Sequence, residues 1–466
     1  VAAQRELIST EKLFVTEDYK SFSRKFPFQL TDDQERAIND VILDLETGKL
    51  MDRLICGDVG FGKTEVALRT SFILANSGYQ VALVAPTTIL VKQHYKSFTE
   101  RFKTTSLNIS SLSRMTSLKD RNKIKNDLKT GEVNIVIGTH ALLSNDVDFN
   151  NLGLLIIDEE QHFGVAQKEK IKELQGNIHV LTLSATPIPR TLQLSLSGLK
   201  QLSLITTPPV NRLSIRTFVL EWDKVVLLDA LNREKNRGGQ TFIVCPRVKD
   251  IDSLYDRIKT MVPDLSISVA HGQMKIDELD KSINLFSDGI TDILISTNII
   301  ESGIDIPNAN TIIIHKADMF GLSQLYQLRG RVGRSKTRAY SYFTIDKDKI
   351  LQKKSQQRLD VIKTLDNLGA GFSLASYDMD IRGAGNLLGD EQSGQIKEVG
   401  VELYQDMLKD AVSSYKEGGK SIEETWSPSI SLGLPVLIPE TYVYDLSTRM
   451  SLYRNAGELL NTEDID

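Results

Sequence analysis

Cysteine is scarce in this sequence. Only two are present among 466 residues, Cys56 and Cys245, and each falls in an apolar stretch that reads as a buried strand, where a small apolar side chain fits. Two cysteines in this setting exclude the disulfide framework of a small secreted domain. They indicate a protein that works in a reducing compartment.

Long apolar runs are lacking as well. No run approaches the roughly 18 residues that a bilayer-spanning helix needs. The first ten residues, VAAQRELIST, contain neither the apolar core of a secretion signal nor an initiating Met. We therefore expect no membrane partner, and we expect the chain to be a piece of a longer protein.

A strong charge of either sign is also missing. The net charge is −5, whereas domains that bind nucleic acid are often strongly basic. A near-neutral chain can still hold a local basic groove, so charge alone decides nothing. Aromatic residues make up 7% of the sequence, and no aromatic-rich insertion predicts a stacking platform for single strands.

The sequence does contain a twice-repeated alternation of apolar strands and amphipathic helices. This alternation predicts parallel sheets covered by helices on both faces. The two prolines of "TTPPVNR", residues 206–212, mark a linker between the halves. The predicted fold class is α/β, with two doubly wound lobes, a cleft between them and ligands at the carboxyl ends of the strands. We expect strands near residues 54–57, 80–85, 134–138, 154–157 and 180–184 in the first half, and near 215–220, 241–244, 266–269, 293–296, 311–314 and 340–344 in the second.

The stretch "LICGDVGFGKTEVALRT", residues 54–70, contains the spacing of a phosphate-binding loop. Glycines allow a tight turn in which successive N–H groups converge on an anion at a helix N-terminus. Lys63 would reach the β- and γ-phosphates, and the Thr64 hydroxyl would bind Mg²⁺. The alternative is a chance glycine-rich turn, but an apolar strand precedes the motif and a helical pattern over residues 64–75 follows it.

Two further stretches predict the rest of a hydrolytic site. In "LLIIDEEQHFG", residues 154–164, an apolar strand ends in Asp158, which would bind Mg²⁺, and Glu159 would activate the attacking water. In "QLYQLRGRVGR", residues 324–334, Arg331 and Arg334 would stabilise the transferring phosphoryl group from across the cleft. The alternatives are a solvated acidic turn and a basic helix end.

These three motifs, in this order, resemble those of the superfamily 2 helicases and translocases, which have two RecA-like lobes. The resemblance implies ATP and Mg²⁺ as cofactors, and it implies that Gln34 in "FPFQLTDDQ" reads the adenine edge beside an aromatic residue. The implied nucleotide-binding residues are Phe28, Gln34, Gly57, Asp58, Gly60, Gly62, Lys63, Thr64, Glu65, Gln327, Gly303 and Asp305. The implied residues for DNA contact and coupling are Thr87, Thr88, Thr139, His140, Ser184, Thr186, His271 and Thr297.

Among these proteins, the chain closely resembles the bacterial transcription-repair coupling factors, through the residues in and around its phosphate loop, "LMDRLICGDVGFGKTEVALR", and through "DEEQ". The RecG-type branch-migration helicases are similar, but they tend to have other residues at the loop positions of Phe61 and Glu65. Residues 369–404 resemble the translocation-in-RecG motif shared by both families, a helical hairpin followed by a loop. The resemblance implies that Arg382 and Gln392 hydrogen-bond between this loop and the hairpin. His162 departs from the family, which usually has arginine there.

The resemblance also divides the chain. It implies the end of a connecting helix over residues 1–25, RecA-like lobes over 26–210 and 211–350, the translocation motif over 351–420, and the start of a truncated C-terminal domain over 421–466. It implies a cytoplasmic bacterial translocase that moves on double-stranded DNA. In its parent this motor would displace stalled RNA polymerase and recruit excision-repair factors through regions absent here. Two alternatives stay open: a RecG-like fork-remodelling helicase, and a nucleotide-gated DNA-binding module without turnover.

Overall fold

The computed structural model describes residues 10–164, 167–168, 170–171, 176–185, 201–209, 213–302, 306–334, 337–347, 351–364 and 442–443. These residues form two α/β lobes, each built around one parallel sheet. The predicted fold class of two doubly wound lobes is thereby confirmed. Both lobes belong to one compact unit, and a second unit, residues 416–466, contains only two described residues.

The first lobe contains a seven-stranded sheet in the order β3-β4-β2-β5-β6-β1-β7. Central strands such as β2 are buried along their entire length, because helices cover both faces. The elements of this lobe are α1 (Glu17–Arg24), α2 (Asp32–Thr47), β1 (Asp52–Gly57), α3 (Lys63–Asn76), β2 (Gln80–Val84), α4 (Thr88–Phe102), β3 (Ile109–Leu112), α5 (Leu118–Thr130), β4 (Ile135–Gly138), β5 (Leu152–Asp158), β6 (His179–Ser184) and β7 (Gln201–Ile205).

The second lobe contains a six-stranded sheet in the order β10-β11-β9-β12-β13-β8. Its elements are β8 (Arg216–Glu221), α6 (Lys224–Asn236), β9 (Gln240–Val244), α7 (Ile251–Met261), β10 (Ile267–Ala270), α8 (Ile276–Ser287), β11 (Ile293–Ser296), β12 (Ala309–Ile314), α9 (Leu322–Arg329), β13 (Tyr340–Ile345) and α10 (Lys353–Thr364).

Helix α1 packs on the first lobe. Thr16 caps its N-terminus by accepting a hydrogen bond from the Tyr19 N–H. On its buried face, Phe22 stacks on Phe72 with ring centroids 4.4 Å apart and also contacts Phe102 at 4.9 Å. The aromatic cluster therefore joins this segment to the core of the lobe.

All eleven strands expected from the sequence are present, within one or two residues of their predicted ends. Two strands were not expected, β3 and β7, which lie at the two edges of the first sheet. Much of the predicted translocation motif, residues 365–420, lies outside the described residues, as do Thr186, Gly303, Asp305, Arg382 and Gln392. Across the described ranges, none of the helices combines the length and the apolar character that crossing a bilayer requires.

Candidate active site

The glycine-rich loop between β1 and α3 has the backbone that a phosphate-binding loop needs. Gly60 and Gly62 have φ angles of 78° and 81°, in the left-handed region that other residues avoid. Gly62 is also the N-cap of α3, and a side chain on it would meet the Gln34 amide nitrogen at 2.5 Å. Both conformation and space therefore require glycine directly before Lys63.

Lys63 is buried at the start of α3. Its ammonium group donates hydrogen bonds to the carbonyl oxygens of Gly57 at 2.7 Å and Asp58 at 3.0 Å. Burial lowers the pKa of Lys63, while the nearby carboxylates of Glu159 and Asp158 oppose that shift. The loop, the lysine and the acidic pair thus share one electrostatic environment, as the spacing of the motifs predicts.

Asp158 ends strand β5 and points into the same region. Its Oδ2 lies 2.7 Å from His94 Nε2, and both side chains are buried. Burial alone would raise the pKa of this carboxyl, but the His94 hydrogen bond and the nearby positive charges, including Lys63 and Arg331, lower it overall. The carboxylate is therefore ionised at neutral pH, and because it can only accept, His94 must donate from Nε2.

Glu159 has an unusual backbone. Its φ of 49° is one of two positive values among non-glycine residues in the described part of the chain. Such a conformation costs about 1–3 kcal/mol, and residues that adopt it cluster at active sites, ligand clamps and switch regions. The Glu159 N–H bonds to the Leu183 carbonyl on β6 at 3.0 Å, and Gln161 donates to its carboxylate. The first contact holds the Glu159 backbone and the second holds its carboxylate, whose charge acts on Lys63.

The residues at this site fit a magnesium ion. The ionised Asp158 carboxylate and the Thr64 hydroxyl at the start of α3 are hard oxygen ligands, which Mg²⁺ prefers. His94 occupies one carboxylate oxygen, and one oxygen suffices for a metal. When bound, the metal would neutralise charge on the phosphate oxygens. Asp158 and Thr64 are the side chains that would hold it.

The second lobe reaches the phosphate loop through the C-terminal end of α9. The Tyr326 hydroxyl donates to Asp58 Oδ2 at 2.6 Å in a buried contact. A side chain on Gly330 would lie 3.2 Å from Val59, so the backbones approach closely there. Arg331, which follows, is buried and is one of the positive charges that lower the pKa of Asp158. The structure thus brings Arg331 close to Asp158, and Arg334 follows three residues later, after the helix has ended.

The segment predicted to bind adenine lies beside the loop. Phe28 is 72% exposed, so its ring is accessible to a base. Gln34 is buried, donates to the Phe61 carbonyl at 2.8 Å and accepts from the Thr31 N–H in a capping box. Gln34 therefore supports the loop itself, and its reading of adenine stays a prediction.

Glu65 and Gln327, also predicted to bind nucleotide, are both buried, and Glu65 forms ion pairs within the first lobe. The carboxylate of Glu65 pairs with Arg69 at 2.8 Å and Arg101 at 3.2 Å, so it forms a buried ion-pair cluster on α3 and α4. Gln327 is buried on α9. A direct nucleotide contact by either residue stays a prediction.

The predicted DNA-contact and coupling residues follow the carboxyl ends of strands in both lobes. Thr87 caps α4, with Thr88 next to it, and Thr139 caps the short helix His140–Leu143. Burial, with a contribution from Arg114, lowers the pKa of His140. Ser184 ends β6 opposite Cys56 of β1. His271 and Thr297 come directly after β10 and β11.

Two contacts at the site were missed by sequence reasoning. The His94–Asp158 contact joins residues 64 positions apart, and the Tyr326–Asp58 contact joins residues 268 positions apart. The available signal was closeness to a motif: Tyr326 lies inside "QLYQLRGRVGR", four residues before Gly330, and His94 lies four residues after Leu90. His162, which replaces the usual arginine, is exposed at the end of a short helix, Glu160–His162.

The Tyr326–Asp58 hydrogen bond gives a testable prediction about lobe closure. Replacing Tyr326 with Phe removes one donor to a buried carboxylate, which is worth about 1.5–3 kcal/mol. We expect the population with separated lobes to rise roughly tenfold or more, since 1.4 kcal/mol corresponds to a factor of ten. Energy transfer between dyes on Leu43→Cys and Ile290→Cys, which replace exposed residues of the two lobes, measures this change.

Tyr342→Phe is the matched control for this measurement. The Tyr342 hydroxyl accepts from Arg233 at 2.7 Å within the second lobe, so its loss leaves the contact between the lobes intact. Both native cysteines are buried and will not compete for the dyes. Unchanged energy transfer in Tyr326→Phe, or an equal change in Tyr342→Phe, would contradict the predicted role of the contact.

Comparison with known proteins places these observations among relatives. The DEAD/DEAH box helicase family matches residues 31–194, and the helicase conserved C-terminal domain matches residues 223–336. The chain is 54% identical over its full length to the transcription-repair-coupling factor of Rickettsia bellii, of which it covers 42%. It is 46% identical to that of Escherichia coli, over 97% of this chain and 40% of the relative.

One solved structure is similar to this chain in both fold and sequence. The structure of RecG bound to a three-way DNA junction has a TM-score of 0.70 and 34% identity, over 87% of this chain and 54% of that chain. The likeness to RecG thus extends from sequence to fold. The chain spans about two fifths of the length of the curated transcription-repair-coupling factors that it matches.

Proposed function

Because the chain belongs to the superfamily 2 helicases and is similar over its whole length to the transcription-repair-coupling factors, we propose that it is an ATP-driven translocase on double-stranded DNA. The observation that carries this proposal is the meeting of Lys63, Asp158 and Arg331 at one site formed by both lobes. A site divided between two lobes ties the chemistry to their relative movement.

The roles of the residues follow from their positions. The glycine-rich loop and Lys63 would bind the phosphates, while Asp158 and Thr64 would hold the metal. The Glu159 carboxylate would take a proton from the attacking water and orient it. Arg331 and Arg334 would stabilise charge on the transferring phosphoryl group from the second lobe. The proposed product is ADP and phosphate, with each turnover followed by opening of the cleft.

In the longer protein we propose that this motor displaces RNA polymerase stalled at lesions and promotes excision repair in the bacterial cytoplasm. The likeness to transcription-repair-coupling factors supports this assignment. The polymerase and repair contacts would use regions outside this chain. We also propose that the translocation motif, residues 351–420 with Arg382 and Gln392, relays lobe closure to the DNA. Gly303 and Asp305 would take part in nucleotide binding, and Thr186 in coupling to DNA.

A fork-remodelling helicase is the second candidate. The similarity in sequence and fold to RecG, solved with a three-way DNA junction, favours it. The two candidates differ in their product, because a translocase moves along a duplex whereas a fork helicase separates or reanneals strands at a branch. A binding module without turnover is the third possibility, and the intact set of catalytic side chains argues against it.

Strand-displacement and ATPase measurements test the proposal together. We expect ATP hydrolysis to increase with double-stranded DNA and the chain to displace the third strand of a triplex, without unwinding a blunt or tailed duplex. Lys63→Ala serves as the control without nucleotide binding. Separation of the tailed or forked duplex would favour the fork helicase, and absence of phosphate release with every DNA would support the binding module.

A further inference from the structure

Helix α4 connects three parts of the molecule. At its N-terminal end it carries Thr87 and Thr88, the predicted contacts to the DNA backbone. On one side Ile89 packs against the apolar core of the second lobe, and the Lys92 ammonium donates to Asn284 Oδ1 of α8 at 3.0 Å. If Thr87 and Thr88 bind DNA as predicted, both DNA binding and lobe movement would act on this helix.

The buried face of the same helix reaches the acidic pair. Val91, His94 and Phe98 follow one another at helical spacing, and all three are buried. His94 is the polar member of this row, and its contact with Asp158 is the 2.7 Å hydrogen bond already described. Thr88 and His94 are six residues apart, which is about 9 Å along a helix axis. A rigid helix would carry a small shift at Thr88 to His94.

We propose that His94 is a positioning residue: it holds the Asp158 carboxylate in the orientation that binds Mg²⁺. The position of this carboxylate therefore depends on the position of α4. Hydrogen bonds to metal-binding carboxylates orient them, and their loss typically lowers metal affinity about 10- to 100-fold. Because α4 also carries the predicted DNA contacts, DNA binding would adjust Asp158 through His94. This proposal rests on the proposed function for its DNA step, but the effect on metal binding does not require DNA.

Two amide substitutions test the hydrogen bond at nearly constant polarity. The amide nitrogen of Gln in His94→Gln can occupy the position of Nε2, whereas in His94→Asn the chain is one methylene shorter and cannot reach it. We expect the Mg²⁺ concentration for half-maximal binding of a fluorescent, non-hydrolysable ATP analogue to rise about 10- to 100-fold in His94→Asn. We expect His94→Gln to remain close to the unmodified protein. This readout is an equilibrium titration without turnover.

Phe98→Leu separates positioning from packing. Phe98 lies one turn further along the buried face, with its ring centroid 6.5 Å from that of His94, and has no polar group to offer Asp158. It should weaken the packing of α4 yet leave the Mg²⁺ titration unchanged, with folding of all variants checked by thermal melting. A rise in Phe98→Leu equal to that in His94→Asn, or no rise in His94→Asn, would overturn the proposal.

The DNA step has its own readout. At saturating Mg²⁺ we expect the ratio of DNA-stimulated to basal ATP hydrolysis to fall towards one in His94→Asn and to be retained in His94→Gln. If His94→Asn kept the same ratio as the unmodified protein, His94 would have no role in coupling DNA binding to hydrolysis. The role of His94 in metal binding would still be decided by the Mg²⁺ titration. If the unmodified protein shows no stimulation by DNA, the proposed function fails, and the Mg²⁺ titration still decides whether His94 positions Asp158.

Discussion

Glu159→Gln is expected to lower ATP turnover by roughly two orders of magnitude or more while leaving ATP binding intact, as for the loss of a general base. The amide keeps the size of the side chain but cannot take a proton from water. Glu159 sits in the left-handed region directly after Asp158, with its N–H held by Leu183. Its position is therefore set by the backbone and should persist in the variant.

Glu160→Gln is the matched control, because Glu160 is the next acidic residue and begins the short helix that follows. It should hydrolyse ATP at close to the unmodified rate. Steady-state phosphate release measures turnover, and titration with a fluorescent ATP analogue measures binding. Near-normal turnover in Glu159→Gln would show that another group activates the water, and an equal loss in Glu160→Gln would point to a general effect of charge.

The central strands of both sheets could be predicted because burial on both faces leaves a continuous apolar run in the sequence. The edge strands β3 and β7 could not. β3 reads ISSL and is half-buried over most of its length, and β7 reads QLSLI with exposed positions. An edge strand pairs on one side only, so its sequence is not required to be apolar throughout. Short, mixed stretches of this kind are also typical of loops.

The phosphate loop and acidic motif could be predicted because their chemistry depends on residues that are close together in the chain. The glycines, Lys63 and Thr64 lie within one strand–loop–helix unit, and Asp158 and Glu159 are neighbours. His94 could not be identified, since its role depends on how α4 packs against β5. A lone histidine on an apolar helix face is ordinarily read as a core residue.

For Gln34, the sequence motif identified the residue but did not determine its role. The motif predicts contact with adenine, whereas the structure shows that its amide nitrogen donates to the Phe61 carbonyl and that Gly62 leaves room for it. A side chain that shapes the loop and one that reads a base can require the same residue type. Sequence pattern alone does not separate these two roles, because both need a donor and an acceptor at one position.

Arg331→Ala should cause the largest loss, at least about 10³-fold in ATP turnover, which is the scale reported for arginines that stabilise transferring phosphoryl groups. Arg331 is buried, belongs to the second lobe and contributes to lowering the pKa of Asp158 in the first. Its positive charge is thus already directed towards the acidic pair across the boundary between lobes. ATP binding should weaken far less, because Lys63 and the loop remain.

Arg331→Lys and Arg338→Ala distinguish geometry from charge. Lysine keeps the charge but lacks the planar guanidinium that can donate to two oxygens at once, so we expect it to restore little activity. Arg338 is an exposed arginine of the same lobe, and its loss should leave turnover unchanged. Single-turnover measurements on all three, with thermal melting, separate chemistry from stability. If Arg331→Lys were as active as the unmodified protein, Arg331 would act through charge alone. If Arg331→Ala were fully active, the transition-state contact would have to come from Arg334, which lies nearer the solvent.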